Sequence, residues 1–282
     1  MAAARYTMAP EPGAEFILEL DEALPNEKRM AEWARSGQVY EPDVSRLCCA
    51  VLRAGDAAID VGANLGYFSL LCARLVGAAG QVLAFEPDPA NLARLGHQLR
   101  INGAGNVRIV GQPASERAGE ADFFLNSDDS GGNALWNPAL FPGTPRSKAN
   151  ERRLRLRTTT LDAEVGRHAL AAPKLIKVDT EGAEQKVLQG ARGLLEGCGV
   201  PFVVCELHPF GLAQMGDSQD SLRELMDSFG YSTFALSWRP VLPKLIPPGT
   251  HIESPYIVNL LFTTPELLGS YWPVEQIDPR IL

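Results

Sequence analysis

The sequence has five cysteines and no pair in the C-x-x-C spacing of many zinc and redox sites. Each cysteine lies within an apolar run, where small buried thiols are common. We therefore expect neither a disulfide framework nor a zinc site, and we expect a reducing compartment. The five are Cys48, Cys49, Cys72, Cys198 and Cys205.

Long apolar runs are missing as well. No window of the sequence approaches the roughly 18–20 uninterrupted apolar residues of a membrane span. Residues 1–16 also lack the apolar core of a signal peptide. We expect a soluble, cytoplasmic protein with no membrane partner.

Basic residues are outnumbered, with 26 Lys and Arg against 34 Asp and Glu. Nucleic-acid binding needs clustered Lys and Arg to contact phosphates, so we expect no nucleic-acid partner. The one basic run, RRLRLR at 152–157, alternates with leucine. This alternation is typical of a strand with one solvated face, and a patch for an anionic substrate is the alternative.

The sequence does contain a regular alternation of strand and helix patterns from residue 56 onward. This alternation indicates an α/β fold whose mostly parallel sheet is covered on both faces. We predict a seven-stranded sheet with one antiparallel strand, which is the Rossmann-like architecture of class I methyltransferases. The predicted strands are 57–61, 81–87, 106–110, 174–179, 201–208, 231–236 and 256–263.

The first predicted strand leads into a glycine-rich turn, DVGANLG at 60–66. Gly62 permits a close approach of a ligand to the backbone, and Gly66 opens a helix whose free N–H groups favour an anion. The spacing G-x-N-x-G differs from the G-x-G-x-x-G of dinucleotide-binding proteins, so a pyrophosphate fits poorly. Taken alone, the turn also fits a merely tight connection.

Glu86 follows the second predicted strand and stands 20 residues after Gly66. At this interval an acidic residue accepts hydrogen bonds from ribose hydroxyls. A nucleoside with a zwitterionic tail and no pyrophosphate fits both turns, and S-adenosylmethionine is such a molecule. We expect its methionine part to lie against Asp60 and the turn that follows.

Several motifs make a family resemblance specific, from about residue 40 to about residue 210. In order and spacing the chain resembles the FkbM family of S-adenosylmethionine-dependent methyltransferases, and VDTEGAE is the most discriminating motif. The resemblance implies O-methylation of a small-molecule hydroxyl in a sugar, a polyketide or another secondary metabolite. The motifs are YEP at 40–42, IDVGANLGYFSLL at 59–71, AFEPDPANLARL at 84–95, TTTLD at 158–162, KLIKVDTEGAEQKVLQGA at 174–191 and CELH at 205–208.

The same motifs supply the candidate cofactor-binding residues. Ala114 and Ser115 follow the third strand, where an adenine edge normally lies in this family. The full set is Glu41, Asp60, Gly62, Asn64, Gly66, Tyr67, Phe68, Glu86, Pro87, Ala114, Ser115 and Asp179.

Four polar side chains after the fourth and fifth predicted strands are the candidate catalytic residues. We expect Asp179 or His208 to be the base that removes the acceptor proton, and Glu181 and Glu206 to orient the acceptor. Glu184 falls within the following helix and more simply caps it or faces water. A divalent cation held by this group is the alternative, but we predict no metal.

The predicted domains follow from these assignments. Residues 1–54 form an N-terminal helical extension or cap, 55–265 the S-adenosylmethionine-binding methyltransferase domain, and 266–282 a C-terminal tail. Within the domain, 126–150 is too long and too rich in Gly and Pro for an ordinary connection. We predict a lid or acceptor loop there, with Trp136 and Phe141 covering the acceptor.

Three other functions compete with this prediction. An NAD(P)-dependent oxidoreductase could use the same kind of sheet, although Asn64 replaces the central glycine and no Tyr-x-x-x-Lys pair is present. A methyltransferase of a macromolecule is disfavoured by the acidic charge and by the lack of an Asn-Pro-Pro-Tyr-type motif. A non-catalytic binding protein would have no need of Asp60, Glu86 and Asp179 together. Homodimer formation is left open.

Overall fold

The computed structural model describes residues 3–238, 243–254 and 258–271. Its N-terminal part starts with an antiparallel hairpin, and two helices follow, each with a proline in its first turn. These elements are β1 (Ala4–Met8), β2 (Phe16–Leu20), α1 (Pro25–Ser36) and α2 (Pro42–Val51).

The alternating part of the chain follows, as the sequence predicts. Its first half contains β3 (Ala57–Val61), α3 (Tyr67–Val76), β4 (Gln81–Phe85), α4 (Pro89–Ile101), β5 (Val107–Val110), β6 (Gly119–Leu125), α5 (Pro145–Ala149), β7 (Arg152–Thr158) and α6 (Leu161–Arg167). Its second half contains β8 (Pro173–Val178), α7 (Glu184–Gln189), α8 (Arg192–Leu195), β9 (Phe202–Leu207), α9 (Pro209–Gln214), α10 (Gln219–Ser228), β10 (Ser232–Ala235), β11 (Lys244–Ile246), β12 (Val258–Thr263) and α11 (Pro265–Gly269). Short 3-10 helices occupy Ser130–Gly132, Pro138–Leu140 and Glu196–Cys198.

Eight of the described strands form one large mixed sheet in the order β11-β10-β12-β9-β8-β3-β4-β5, and β1–β2 and β6–β7 form two separate two-stranded sheets. From β3 the chain winds outward through β4 and β5, and it then returns to β8 on the other side of β3. The point between β3 and β8 is therefore a topological switch point, where open α/β sheets bind ligands beyond the strand ends.

Alternation along the central strands sends side chains to two separate cores. Ala58, Leu175 and Val204 pack on one face with the N-terminal elements, α3 and α4. Ile59, Ile176 and Val203 pack on the other face with the later helices. Because side chains alternate with a period of two, Asp60, Lys177 and Glu206 lie on the first of these faces.

The α/β class is confirmed, but the predicted strand count is wrong. The described residues form an eight-stranded sheet, in which β12 and β11 both run antiparallel to their neighbours. The additional strand, β11, has three residues between Pro243 and Pro247, too few for an alternating pattern to be visible in the sequence.

Two further predictions need correction. The N-terminal part is not purely helical, since it begins with the β1–β2 hairpin. The sequence pattern of 182–197 predicts one continuous helix, but the structure has two, α7 and α8, and between them a Cβ atom at Gly190 would lie 2.1 Å from the Ser115 carbonyl oxygen. The tail predicted at 266–282 lies mostly outside the described residues.

The basic run forms β7, a strand with one solvated face, as predicted. Its arginines face acidic side chains of β6, since Arg155 forms ion pairs with Glu120 at 3.4 Å and Asp122 at 3.3 Å. Glu120 and Asp122 thus offset two of the four positive charges that the arginines of β7 carry. Within the described ranges, the chain has no helix long and apolar enough to cross a bilayer.

Candidate active site

A cavity of about 620 Å³ opens beyond the ends of the central strands, at the switch point. The turns after β3 and β4 form one wall, and the residues after β8 and β9 form another. Residues of α1 and of the 126–150 segment complete the wall, and Arg29 of α1 forms a 3.2 Å ion pair with Asp129 of that segment. The cavity is therefore bordered by most of the motifs on which the sequence prediction depends.

The turn after β3 is shaped by residues in the left-handed region. Gly62 has φ +85°, and a Cβ atom there would lie 1.7 Å from the Asp179 carbonyl oxygen. Asn64 has φ 51°, and its buried Oδ1 has no hydrogen-bond partner among the described residues. Gly66 has φ +98° at the start of α3. A ligand can therefore reach the backbone here and find an unpaired amide oxygen.

Glu86 is fixed at the end of β4 by two backbone N–H donors. Asn64 N–H donates to Oε2 and Asp88 N–H donates to Oε1, both at 2.8 Å. Burial raises the pKa of the Glu86 carboxyl to about 7. Its orientation on the cavity wall suits it to accept hydrogen bonds from a diol, which is the role predicted for it.

Most of the predicted cofactor-binding residues line this cavity, and their roles remain predictions. They are Glu41, Gly62, Asn64, Gly66, Tyr67, Phe68, Glu86, Pro87, Ala114 and Asp179.

Asp60 and Ser115 do not line the cavity, so the placement predicted for them needs correction. Asp60 is buried behind the turn, where its Oδ2 accepts from the Ser69 hydroxyl at 2.6 Å. Ser115 N–H donates to the Thr159 carbonyl oxygen at 2.8 Å. Both residues hold loops in place rather than facing the cavity.

Three acidic side chains meet at the ends of β8 and β9. Val178 pairs with Cys205 across the two strands, so the residues that follow, Asp179 and Glu206, come side by side. One oxygen from each of these and from Glu181 lies within 4.8 Å of the other two, a spacing that would also suit a divalent cation. Burial and the neighbouring carboxylates raise the pKa values of Glu181 and Glu206 well above their usual range.

Sequence reasoning missed several residues of the cavity wall. Lys177 lies two positions before Asp179 on the same strand face, and its Nζ is 2.8 Å from Asp179 Oδ2. The period of two along a strand could have revealed it. Asn259 pairs with Glu206 across β12 and β9, but this register is not visible in the sequence.

His208 is absent from the described cavity wall, contrary to the expectation that it faces the acceptor. Its Nδ1 accepts from Gly211 N–H at 2.8 Å, and its Nε2 lies 3.4 Å from Glu181 Oε2. Burial lowers the pKa of His208. A neutral imidazole in this arrangement carries its proton on Nε2, which faces Glu181 Oε2, so the ring packs beside a cavity residue.

The segment predicted as a lid contributes differently from the expectation. Phe141 lines the cavity, as do Gly131 and Gly132. Trp136 is instead buried outside it, where its ring packs on Phe210 and its Nε1–H donates to the Glu181 carbonyl oxygen. Closure of this segment over an acceptor remains a prediction.

The N-terminal part supplies aromatic and acidic groups to the rim. The centre of the Trp33 ring lies 5.4 Å from the centre of the Tyr40 ring and 5.6 Å from the centre of the Trp238 ring. Glu41 lines the inner wall with φ 37°, and burial raises its pKa to about 7. Glu41, Asn64 and Glu181 all combine a positive φ with a place on the wall, and such strain clusters at functional sites.

Residues 60–233 match the family model described as the methyltransferase FkbM domain. The chain is similar to the hexuronic acid methyltransferase AglP of Haloferax volcanii, at 30% identity over 60% of this chain and 62% of that protein. It is also similar to the AMB antimetabolite synthetase AmbE of Pseudomonas aeruginosa, at 28% identity over 80% of this chain and 12% of that protein. It thus spans less than two thirds of the length of either. Among solved structures, a methyltransferase FkbM from Methylobacillus flagellatus covers 87% of this chain, with 56% of its own length matched, a TM-score of 0.43 and 17% identity.

Proposed function

Because the chain belongs to the FkbM methyltransferase family, we propose that it transfers a methyl group from S-adenosylmethionine to a hydroxyl of a small molecule. The acceptor is a sugar, a polyketide or another secondary metabolite. The similarity to a protein named for a hexuronic acid substrate supports a sugar acceptor. The observation that carries the proposal is that Glu86, the Gly62–Gly66 turn and Asp179 border one cavity.

The cofactor half of the cavity suits an adenosyl group with a charged tail. Glu86 would accept hydrogen bonds from the two ribose hydroxyls, and Asn64 Oδ1, which has no hydrogen-bond partner among the described residues, would offer a further acceptor beside it. Ala114, which lines the cavity, would border the adenine. The acidic wall favours the cationic end of the cofactor. When bound, S-adenosylmethionine supplies a methyl group that is already activated by its sulfonium.

The acceptor half contains the proposed base. Asp179 follows β8 on the cavity wall, whereas His208 stands behind Glu181. We therefore assign proton removal to Asp179, and we assign orientation of the acceptor to Glu181 and Glu206. The Asp179 carboxylate would accept the proton of the acceptor hydroxyl, and bound S-adenosylmethionine would supply the methyl group to the acceptor oxygen and be released as the neutral thioether. General base catalysis of this kind contributes about 10²–10⁴-fold.

Calorimetric titration tests the cofactor assignment directly. S-adenosylhomocysteine should bind and NAD⁺ should not, and the reverse result would favour the oxidoreductase. A panel of glycosides and polyketides incubated with S-adenosylmethionine should then yield a methylated product detectable by mass spectrometry. Methylation of nucleic acid or protein but of no small molecule would contradict the proposed acceptor class.

A further inference from the structure

One lysine lies among the acidic side chains of the cavity. Lys177 is on β8, and alternation along the strand places Leu175, Lys177 and Asp179 on the same face. Leu175 is in the core, Lys177 is buried at the cavity wall, and Asp179 is half-buried beyond the strand end. The lysine thus comes from the rigid centre of the sheet and reaches toward the proposed base.

The neighbouring strand adds a second carboxylate. Asp60 on β3 is the direct register partner of Lys177 on β8, so the two side chains project to the same face. Burial alone would lower the pKa of the Lys177 ammonium. The charges of Asp179, Asp60 and Glu41 outweigh this effect and raise the pKa above its usual range. Lys177 is therefore a cation at neutral pH.

Lys177 has limited freedom to move. Its Nζ is 2.8 Å from Asp179 Oδ2, its side chain is 7% exposed, and the ammonium lies 4.7 Å from the centre of the Phe68 ring. Of the described residues, the other cation on the cavity wall is Arg29, which pairs with Asp129 at the rim and is 55% exposed. Lys177 is thus the cation that the inner carboxylates share.

We propose that Lys177 is a positioning residue, which holds Asp179 through Oδ2 so that Oδ1 is turned toward the acceptor hydroxyl. Without the ammonium, Asp179 Oδ2 would lose its 2.8 Å partner, and the carboxylate would no longer be held in this rotamer. The inference rests on the proposed function, because it gives Asp179 the role of base.

A crystal structure of Lys177→Met with S-adenosylhomocysteine tests the positioning without any acceptor. Wild-type crystals should show the Lys177–Asp179 contact, and the variant should show Asp179 turned away from its wild-type rotamer. Lys174→Met is the matched control, since Lys174 is on the same strand and pairs with Asp56 at 3.0 Å outside the cavity wall. An Asp179 side chain that keeps its place in Lys177→Met would overturn the proposal.

The second test measures kcat and KM of the variants with the acceptor that the wild-type enzyme methylates. Lys177→Met should lower kcat by about 10²-fold, as expected for loss of an oriented base, with little change in acceptor KM or cofactor affinity. Lys177→Arg should restore part of kcat. In an Asp179→Asn background, Lys177→Met should have almost no further effect, because both changes remove the same function.

The contrary outcomes are distinct. The proposal would fail if Lys177→Met left kcat unchanged, or if the losses of the two single variants added in the double variant. It would also fail if melting temperature and cofactor affinity fell in parallel with kcat, since Lys177 would then have a general structural role. Should Lys177→Met fail to fold, Lys177→Gln gives the same comparison with a smaller change. Failure of wild-type protein to bind S-adenosylhomocysteine would instead refute the proposed function.

Discussion

Gly62 and Asp179 are in backbone contact, so close that a Cβ atom on Gly62 would lie 1.7 Å from the Asp179 carbonyl oxygen. The contact joins the turn after β3 to the loop after β8, which are adjacent parallel strands. Asp179 N–H also donates to the Val61 carbonyl oxygen at 3.0 Å. The backbone of Asp179 therefore packs directly against the turn after β3.

Gly62→Ala should consequently damage both stability and cofactor binding. An alanine would clash with the Asp179 backbone, and its φ of +85° is itself unfavourable. Gly37→Ala is the matched control, because Gly37 is left-handed, with φ 69° and ψ 16°, and no described residue lies within 4 Å of a Cβ there. Left-handed strain alone costs roughly 1–2 kcal/mol. Thermal unfolding should show a larger fall in melting temperature for Gly62→Ala, and calorimetry a larger fall in affinity for S-adenosylhomocysteine. Equal falls in the two variants would contradict the contact between Gly62 and Asp179.

Glu86→Ala should weaken S-adenosylhomocysteine binding. Hydrogen bonds to a charged group are worth about 1.5–3 kcal/mol, so we expect the dissociation constant to rise by roughly 10- to 150-fold. Glu120→Ala, which removes an exposed carboxylate on β6, is the control for the loss of one negative charge. A dissociation constant that stays the same in calorimetry would remove Glu86 from the ribose site.

Glu86→Gln should change how stability depends on pH. Burial raises the folded-state pKa of Glu86 from 4.5 to about 7, so its favourable contribution is complete below pH 4.5 and is lost as the pH rises through 7. The variant cannot titrate there. Its free energy of unfolding, relative to wild type, should therefore rise between pH 4.5 and 7 by about 1–3 kcal/mol and then stay level.

Chemical denaturation at several pH values measures this difference. Glu41 and Glu184, whose pKa values are also raised to about 7, titrate in both proteins and largely cancel. A difference that does not vary with pH would show that burial does not perturb Glu86 in solution.

Much of the fold was predictable because local patterns agreed with the final packing. The sequence patterns at 57–61 and 174–179 predicted two central strands. Because the two strands are parallel, the polar residues that follow them lie at the same edge of the sheet. The positions of Gly62, Glu86 and Asp179 follow from this rule.

The parts that could not be predicted depend on register and on long-range packing. Asp60 lies in β3, but it accepts a hydrogen bond from Ser69 of α3 instead of facing the cavity. His208 follows β9, yet its ring accepts from Gly211 N–H at the start of α9 and lies beside Glu181. The rule that polar residues at strand ends face the cavity predicts neither of these local hydrogen bonds.

Methyl transfer should survive the removal of divalent cations. The three inner carboxylates have a spacing that suits a metal, but Lys177 already donates to Asp179 at 2.8 Å and supplies positive charge to the group. We expect turnover after dialysis against EDTA to equal that of the untreated enzyme. A loss of turnover that Mg²⁺ restores would instead make Asp179, Glu181 and Glu206 metal ligands.

Asp179→Asn and His208→Ala together decide which residue is the base. The geometry assigns the base to Asp179, because it lines the cavity, whereas His208 Nε2 faces Glu181 at 3.4 Å. We expect Asp179→Asn to lower kcat by about 10²-fold or more, and His208→Ala to cause a clearly smaller loss through Glu181. Calorimetry with S-adenosylhomocysteine controls for cofactor binding, which His208→Ala should leave intact. If His208→Ala lost as much turnover as Asp179→Asn with full cofactor affinity, the imidazole would have to reach the acceptor, and the assignment of Asp179 would fall.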